Sequence, residues 1–104
     1  MDEEALLVLS TFPDPATARR IARQLVEESC AACANIIPAV ASIYRWETKI
    51  EEASEVLVLF KTTSARYPAL ESTLRRLHPY AVPEIVALPI ERGLPDYLRW
   101  VGEN

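Results

Sequence analysis

Three apolar runs constrain this chain more than any other feature. Ala5 to Thr11 (ALLVLST), Val56 to Phe60 (VLVLF) and Ile85 to Ile90 (IVALPI) are hydrophobic at almost every position. Runs this short read as strands rather than buried helices. An antiparallel sheet with one solvated face alternates apolar and polar residues, and these strands do not. Both faces of the sheet they build must therefore be covered.

The intervening segments supply the rest of the pattern. Phe12-Pro13-Asp14-Pro15 stops the first strand, with Asp14 placed to cap a helix and Pro15 suited to its first turn. Ala18, Ile21, Ala22, Leu25 and Val26 follow one helical face to about Ser29, while Arg19, Arg20, Arg23, Glu27 and Glu28 read as its solvated side. Asn35 to Trp46 and Lys49 to Thr62 are extended and form a long hairpin turning at Glu47-Thr48. Pro38 marks an edge or a bulge, because it cannot donate to a ladder. Thr63 or Ser64 caps a second helix with a Tyr67, Leu70, Leu74, Leu77 stripe and an outer Glu71–Arg75 pair. A short helix from Pro95 to Trp100 closes the chain.

The order β-α-β-β-α-β plus a terminal helix is that of an α+β, ferredoxin-like fold. Its two main helices cover one sheet face. The final helix is too short to cover the other alone, so association between identical chains is the economical solution.

Composition narrows the function. At 104 residues the chain is read as one domain, residues 1–104. A net charge of −4 argues against nucleic-acid binding, which needs a basic face. The acidic start Met1-Asp2-Glu3-Glu4 is unlike a signal peptide, and no run is long enough to span a bilayer. A cytoplasmic protein with reduced thiols is expected. Two glycines leave no phosphate-cradling loop of the common motifs.

The chemistry-bearing residues gather in Leu77-His78-Pro79-Tyr80-Ala81-Val82-Pro83-Glu84-Ile85, stiffened by two prolines and holding the only histidine. His78 ends a helix, where the dipole favours an imidazolium; a cap and a functional group are equally supported there. No serine or cysteine nucleophile pairs with it by position, so an enzyme is not expected. Cys30-x-x-Cys33 follows a helix end, where the dipole opposes a thiolate, and reads as two small buried residues. Lys61 is expected to pair with Glu84 or to snorkel. Glu47, Glu51, Glu52 and Glu55 read as solvated hairpin acids.

Six segments carry a family resemblance: Ala31 to Ile36 (AACANI), Ser42 to Glu47 (SIYRWE), Lys61-Thr62-Thr63, His78-Pro79-Tyr80, Val82-Pro83-Glu84-Ile85 and Tyr97-Leu98-x-Trp100. In order and spacing the chain resembles the CutA family of divalent-cation tolerance proteins. The resemblance implies a homotrimer packed through its sheets, the hairpin reaching a neighbour, and a role in the response to copper and other divalent metals. Some bacterial members draw a copper site from a cysteine ending the first strand and two adjacent histidines; here Ser10 and Leu77 stand at two of those positions. Thr48 stands where the family usually has glycine. The metal candidates are His78, Cys33 and Glu84. The trimer seam is expected at Val56, Val58, Phe60 and Tyr97. The alternative is a PII-like trimeric binding module, with Trp46, Lys61, Tyr80, Tyr44 and Trp100 lining an intersubunit cleft for a small ligand or partner peptide.

Overall fold

The computed structural model describes residues 4–104, so Met1 to Glu3 of the acidic start lie outside the described residues. The elements are β1 (Ala5–Phe12), α1 (Pro15–Glu27), β2 (Cys33–Trp46), β3 (Lys49–Thr63), α2 (Tyr67–Leu77), β4 (Val86–Pro89) and α3 (Pro95–Glu103). The strands form one antiparallel sheet in the order β2-β3-β1-β4. This is the α+β, ferredoxin-like arrangement that the sequence pattern implies.

Strand register decides which residues face the helices. Leu6 lies opposite Thr62, Val8 opposite Phe60, and Phe12 opposite Val56. These side chains share one sheet face with Ile36 of β2. They pack against Ala18, Ile21, Ala22 and Leu25 of α1 and Leu70 and Leu74 of α2. Val56, Val58 and Phe60 are therefore buried in the chain's own core, at 2%, 0% and 0% exposure, and are not at a seam. With both faces of the run apolar, composition does not reveal its parity, and an offset of one residue exchanges the faces. The opposite face carries Leu7, Leu9, Leu57, Leu59, Lys61, Cys33, Asn35, Ile37, Val86 and Leu88. Ser10, on the helix side, is fully buried and its hydroxyl has no hydrogen-bond partner among the described residues.

Helix α3 covers one end of that opposite face. Val101 is buried, and the Tyr97 hydroxyl lies beside Cys33. The Arg66 guanidinium donates to the carbonyls of Val101, at 3.5 Å, and Gly102, at 2.9 Å. It satisfies acceptors left free at the helix end and places a cation against the negative end of the dipole. The rest of the face stays open: Ile37, Val86 and Leu88 are 39%, 48% and 52% exposed. Beyond Val56, which pairs with the last residue of β1, the β2–β3 hairpin continues as a two-stranded arm bearing exposed Ile43, Trp46 and Ile50. Such an arm is marginal alone in water.

Local chemistry sets the element ends. Asp14 accepts from the Thr17 backbone N–H at 2.8 Å and its hydroxyl at 3.0 Å. The backbone bond comes first among the effects that hold its carboxyl below the usual range. At the other end of α1, Ser29 N–H donates to Val26 and Cys30 N–H to Leu25, with Ser29 at φ 61°. This pair of bonds is the Schellman closure, and buried Cys30 sits where its apolar contact belongs. Helix α2 lacks the expected side-chain cap. Arg66 holds the cap position, Ser64 turns to Glu4, and the Thr63 hydroxyl accepts from Arg66 N–H at 3.4 Å. Glu71 accepts from the Tyr67 hydroxyl at 2.9 Å instead of pairing with Arg75. Pro38 lies on an edge strand, inside the register shift between Ile37 and Val40.

Glu47 and Thr48 both adopt positive φ, at 49° and 71°. A two-residue hairpin turn of this hand demands it, and a β-branched residue is poorly suited to it. Relief of a left-handed conformation gives about 1–2 kcal/mol, against about 0.4–1 kcal/mol of added unfolded-state entropy. Thr48→Gly is expected to stabilise by about 1 kcal/mol, read as a higher guanidinium midpoint. Ser29→Gly is expected to act in the same direction by a smaller amount. A lower midpoint in both variants contradicts the assigned strain.

Candidate functional site

Two places gather the polar and aromatic residues singled out above. The first is the connection from α2 to β4. His78 is the C-cap of α2, and its N–H still reaches Leu74 at 2.9 Å. Pro79 then biases it to extended backbone, with ψ 136°. The Tyr80 backbone N–H lies 3.1 Å from Nδ1, and that donor requires Nδ1 to accept. The ring proton therefore sits on Nε2, which donates to the Thr11 carbonyl at 2.8 Å. Phe12 stacks on the imidazole at 4.6 Å and Tyr80 tilts against it at 4.9 Å.

His78 is thus a neutral, satisfied ring at 7% exposure, and the imidazolium favoured by the helix dipole does not form. Burial lowers its pKa, outweighing the Thr11 carbonyl and the Glu55 carboxylate, which both raise it. The Tyr80 hydroxyl donates to Glu55 at 2.7 Å. Burial first, and then Glu55, keep the phenol protonated well above its ordinary range. Glu55 is consequently not a solvated hairpin acid; it ties the connection to β3 just past the end of β1.

The second place is the covered end of the open sheet face. Cys33 and Lys61 are cross-strand partners. Lys61 Nζ donates to Asn35 Oδ1, not to Glu84. The Cys33 sulfur lies 3.7 Å from the Tyr97 hydroxyl, and Tyr97 stacks on Trp100 at 5.8 Å. The contact with Cys33, followed by burial, raises the Tyr97 pKa.

The structure does not unite the three metal candidates within one chain. His78 contacts Thr11, whose partner on β3 is Leu57, whereas Cys33 pairs with Lys61. Four residues along a strand span roughly 13 Å, and the two side chains lie on opposite sheet faces. Glu84 is exposed ahead of β4. Among the described residues, no group of three His, Cys, Asp or Glu side chains is placed to hold an ion. Cys30 and Cys33 are both free thiols. The cleft candidates also divide: Tyr44 acts on Tyr80 electrostatically, Lys61 and Trp100 lie at the α3 end, and Trp46 is at the arm tip.

Sequence reasoning missed the partners Asn35, Glu55 and Arg66, whose roles depend on strand register. It also missed an open groove of about 630 Å³ between α1 and the start of β2, lined by Arg19, Arg20 and Arg23 among others.

These features define a ferredoxin-like α+β protein with a stiff aromatic anchor at one sheet end and an open apolar face. A family model described as "CutA1 divalent ion tolerance protein" matches residues 6–104. The chain is 52% identical over 98 residues to the divalent-cation tolerance protein CutA of Thermus thermophilus, covering 94% of this chain and 95% of that one. The solved structure of the Cut A1 protein from that organism superposes with a TM-score of 0.93 at 51% identity, covering 96% and 97% of the two chains. The mouse protein CutA is 53% identical over 93 residues; these are 89% of this chain but 52% of that one, so the chain spans about half its length. A CutA structure from Archaeoglobus fulgidus, described as periplasmic, matches with a TM-score of 0.90 at 38% identity, covering 93% and 94% of the two chains. The chain belongs to the CutA1 divalent ion tolerance family.

The His78 geometry fixes a sign for pH dependence. The neutral ring is favoured in the fold, so the unfolded chain binds more protons below the ordinary histidine pKa of about 6.5. The stabilisation is full above that pH and is lost as pH falls toward the lowered folded pKa. His78→Gln is expected to lower stability at pH 7.5 by about 2 kcal/mol, through lost packing and hydrogen bonds. The gap to the parent should narrow on going to pH 5, measured by denaturation midpoints. A gap independent of pH contradicts the neutral ring assigned to the folded state.

Proposed function

We propose that the chain acts in tolerance of divalent cations as a non-enzymatic homotrimer in the cytoplasm. The observation that carries the assembly is the half-exposed apolar sheet face, extended by the two-stranded arm. Each half-exposed Val, Leu or Ile there gains on the order of 1 kcal/mol on burial. Several such residues per chain are needed against the several kcal/mol that association costs. Tyr97, half-exposed beside that face, remains in the proposed seam, with Leu57 and Leu59 in place of Val56 and Val58.

Metal coordination belongs between subunits in this reading. Both His78 nitrogens are engaged, so Cys33 and Glu84 are the available donors. Cys33 lies on edge strand β2, and Glu84 precedes edge strand β4. A cyclic, head-to-tail assembly brings unlike edges together. The thiol makes copper the leading cation. A second reading, a PII-like module, rests on the α3 end of the open face. There, Lys61 and the stacked Tyr97 and Trp100 present a cation and aromatic surface to a small ligand.

Native mass spectrometry with added Cu(I), Cu(II) and Zn(II) tests both. A trimer is expected, and Leu88→Asp should weaken its association by at least about 100-fold, since burying an unpaired charge costs several kcal/mol. Cys33→Ser should lose bound copper, while His78→Gln retains it. A metal-free trimer transfers the function to the PII-like reading. A clean monomer sinks both.

A further inference from the structure

The groove between α1 and the start of β2 has a chemistry that metal tolerance leaves unused. Its helix wall presents Arg19, Arg20 and Arg23. Spacings of three and four residues bring Arg20 and Arg19 onto the same side as Arg23. Its floor is Ala22 and Val26 of the helix with Ala34 and Ile36 of β2. Its far wall is the start of β2.

No ion pair engages these three arginines among the described residues, although the chain carries net negative charge. Two acids nearby have other ties. Asp14 spends its oxygens on Thr17, and Arg20 is the smallest influence on it. Glu28 accepts from the Gln24 side chain at 2.8 Å. Glu27 alone among the acids lines the groove. Three guanidinium groups against one carboxylate leave a net positive concavity on an acidic protein.

We infer that this groove binds a small multivalent oxyanion, held by the forked donors of Arg19, Arg20 and Arg23 over the apolar floor. Guanidinium groups pair with phosphate and carboxylate oxygens through parallel hydrogen bonds, and several forks on one ligand give selectivity for multiple charge. The groove is open to solvent, and its volume of about 630 Å³ leaves room for a small anion. The two sources of this chemistry are phosphate compounds and polycarboxylates. Cys33 borders the groove as well, but the oxyanion contacts rest on the α1 arginines and are made whether or not metal binds.

Titrations of the intact, metal-free protein with pyrophosphate and with citrate, at about 0.15 M salt, separate the two sources. Backbone amide signals report the position. At least one anion is expected to saturate at submillimolar concentration and to shift the signals of residues 32–36 and of the α1 arginine side chains. Arg20→Gln with Arg23→Gln should weaken binding at least about tenfold, the loss of one to two charged hydrogen bonds. Arg75→Gln with Arg76→Gln removes the same charge from exposed α2 positions and should change affinity less than about twofold. Glu27→Gln should tighten it. Failure of both anions to saturate, shifts centred elsewhere, or equal losses in the two double variants overturns the inference. The signal map on the unmutated protein keeps this decision independent of how the variants fold.

Discussion

Two helices cover only one face of a four-stranded sheet, and that constraint shapes the rest of this molecule. On the covered face the alternating set Leu6, Val8, Phe12, Val56, Val58 and Phe60 makes an ordinary small core with α1 and α2. On the other, a largely apolar set, broken by Lys61 and Asn35, is left with α3 as its sole cover at one end. A polar set in those positions would satisfy a monomer. The sequence instead keeps leucine, isoleucine and valine there, and the arm adds more. The isolated chain is left with a half-exposed apolar surface.

The sheet end opposite α3 is closed by a different device. Phe12, His78, Tyr80 and Glu55 link the end of β1, the end of α2, the proline-stiffened connection and β3. Both ring nitrogens of His78 have a partner, which is what lets a histidine sit inside without charge. The same contacts occupy both ring nitrogens and make the histidine an anchor of the connection. The two prolines contribute by limiting where the connection can go, so the anchor does not have to order a flexible loop.

Much of the fold was legible because period and punctuation agree. The Asp14-Pro15 cap, the helical stripes, the hairpin and the Pro38 irregularity each follow from one local rule, and each lies where that rule puts it. The CutA resemblance was likewise carried by short, ordered segments. What escaped was parity and pairing. In VLVLF every residue is apolar, so nothing local distinguishes Val58, which is buried, from Leu57, which faces the other way. Lys61 chose Asn35 because the two lie on the same face of adjacent strands, one diagonal step apart in the register. Glu55 resembled its acidic neighbours in sequence but lies where Tyr80 can reach it. The metal candidates were grouped by chemistry, while the topology sends His78 and Cys33 to opposite faces.

The strand order has a consequence for how the chain is made. A ribosome releases β1 and β2 first, yet β3 stands between them in the finished sheet. Until residue 63 has emerged, the early strands have no native neighbour and must wait as exposed apolar segments beside α1 alone. The β2–β3 hairpin, whose pairing is local, is the first piece of sheet that the nascent chain can form. β1 then docks against an edge already in place, and β4 follows it. The sheet is therefore assembled from its β2–β3 end, through β1, to β4 at the other edge, and the interval before β3 appears is when the nascent chain most needs protection from other chains.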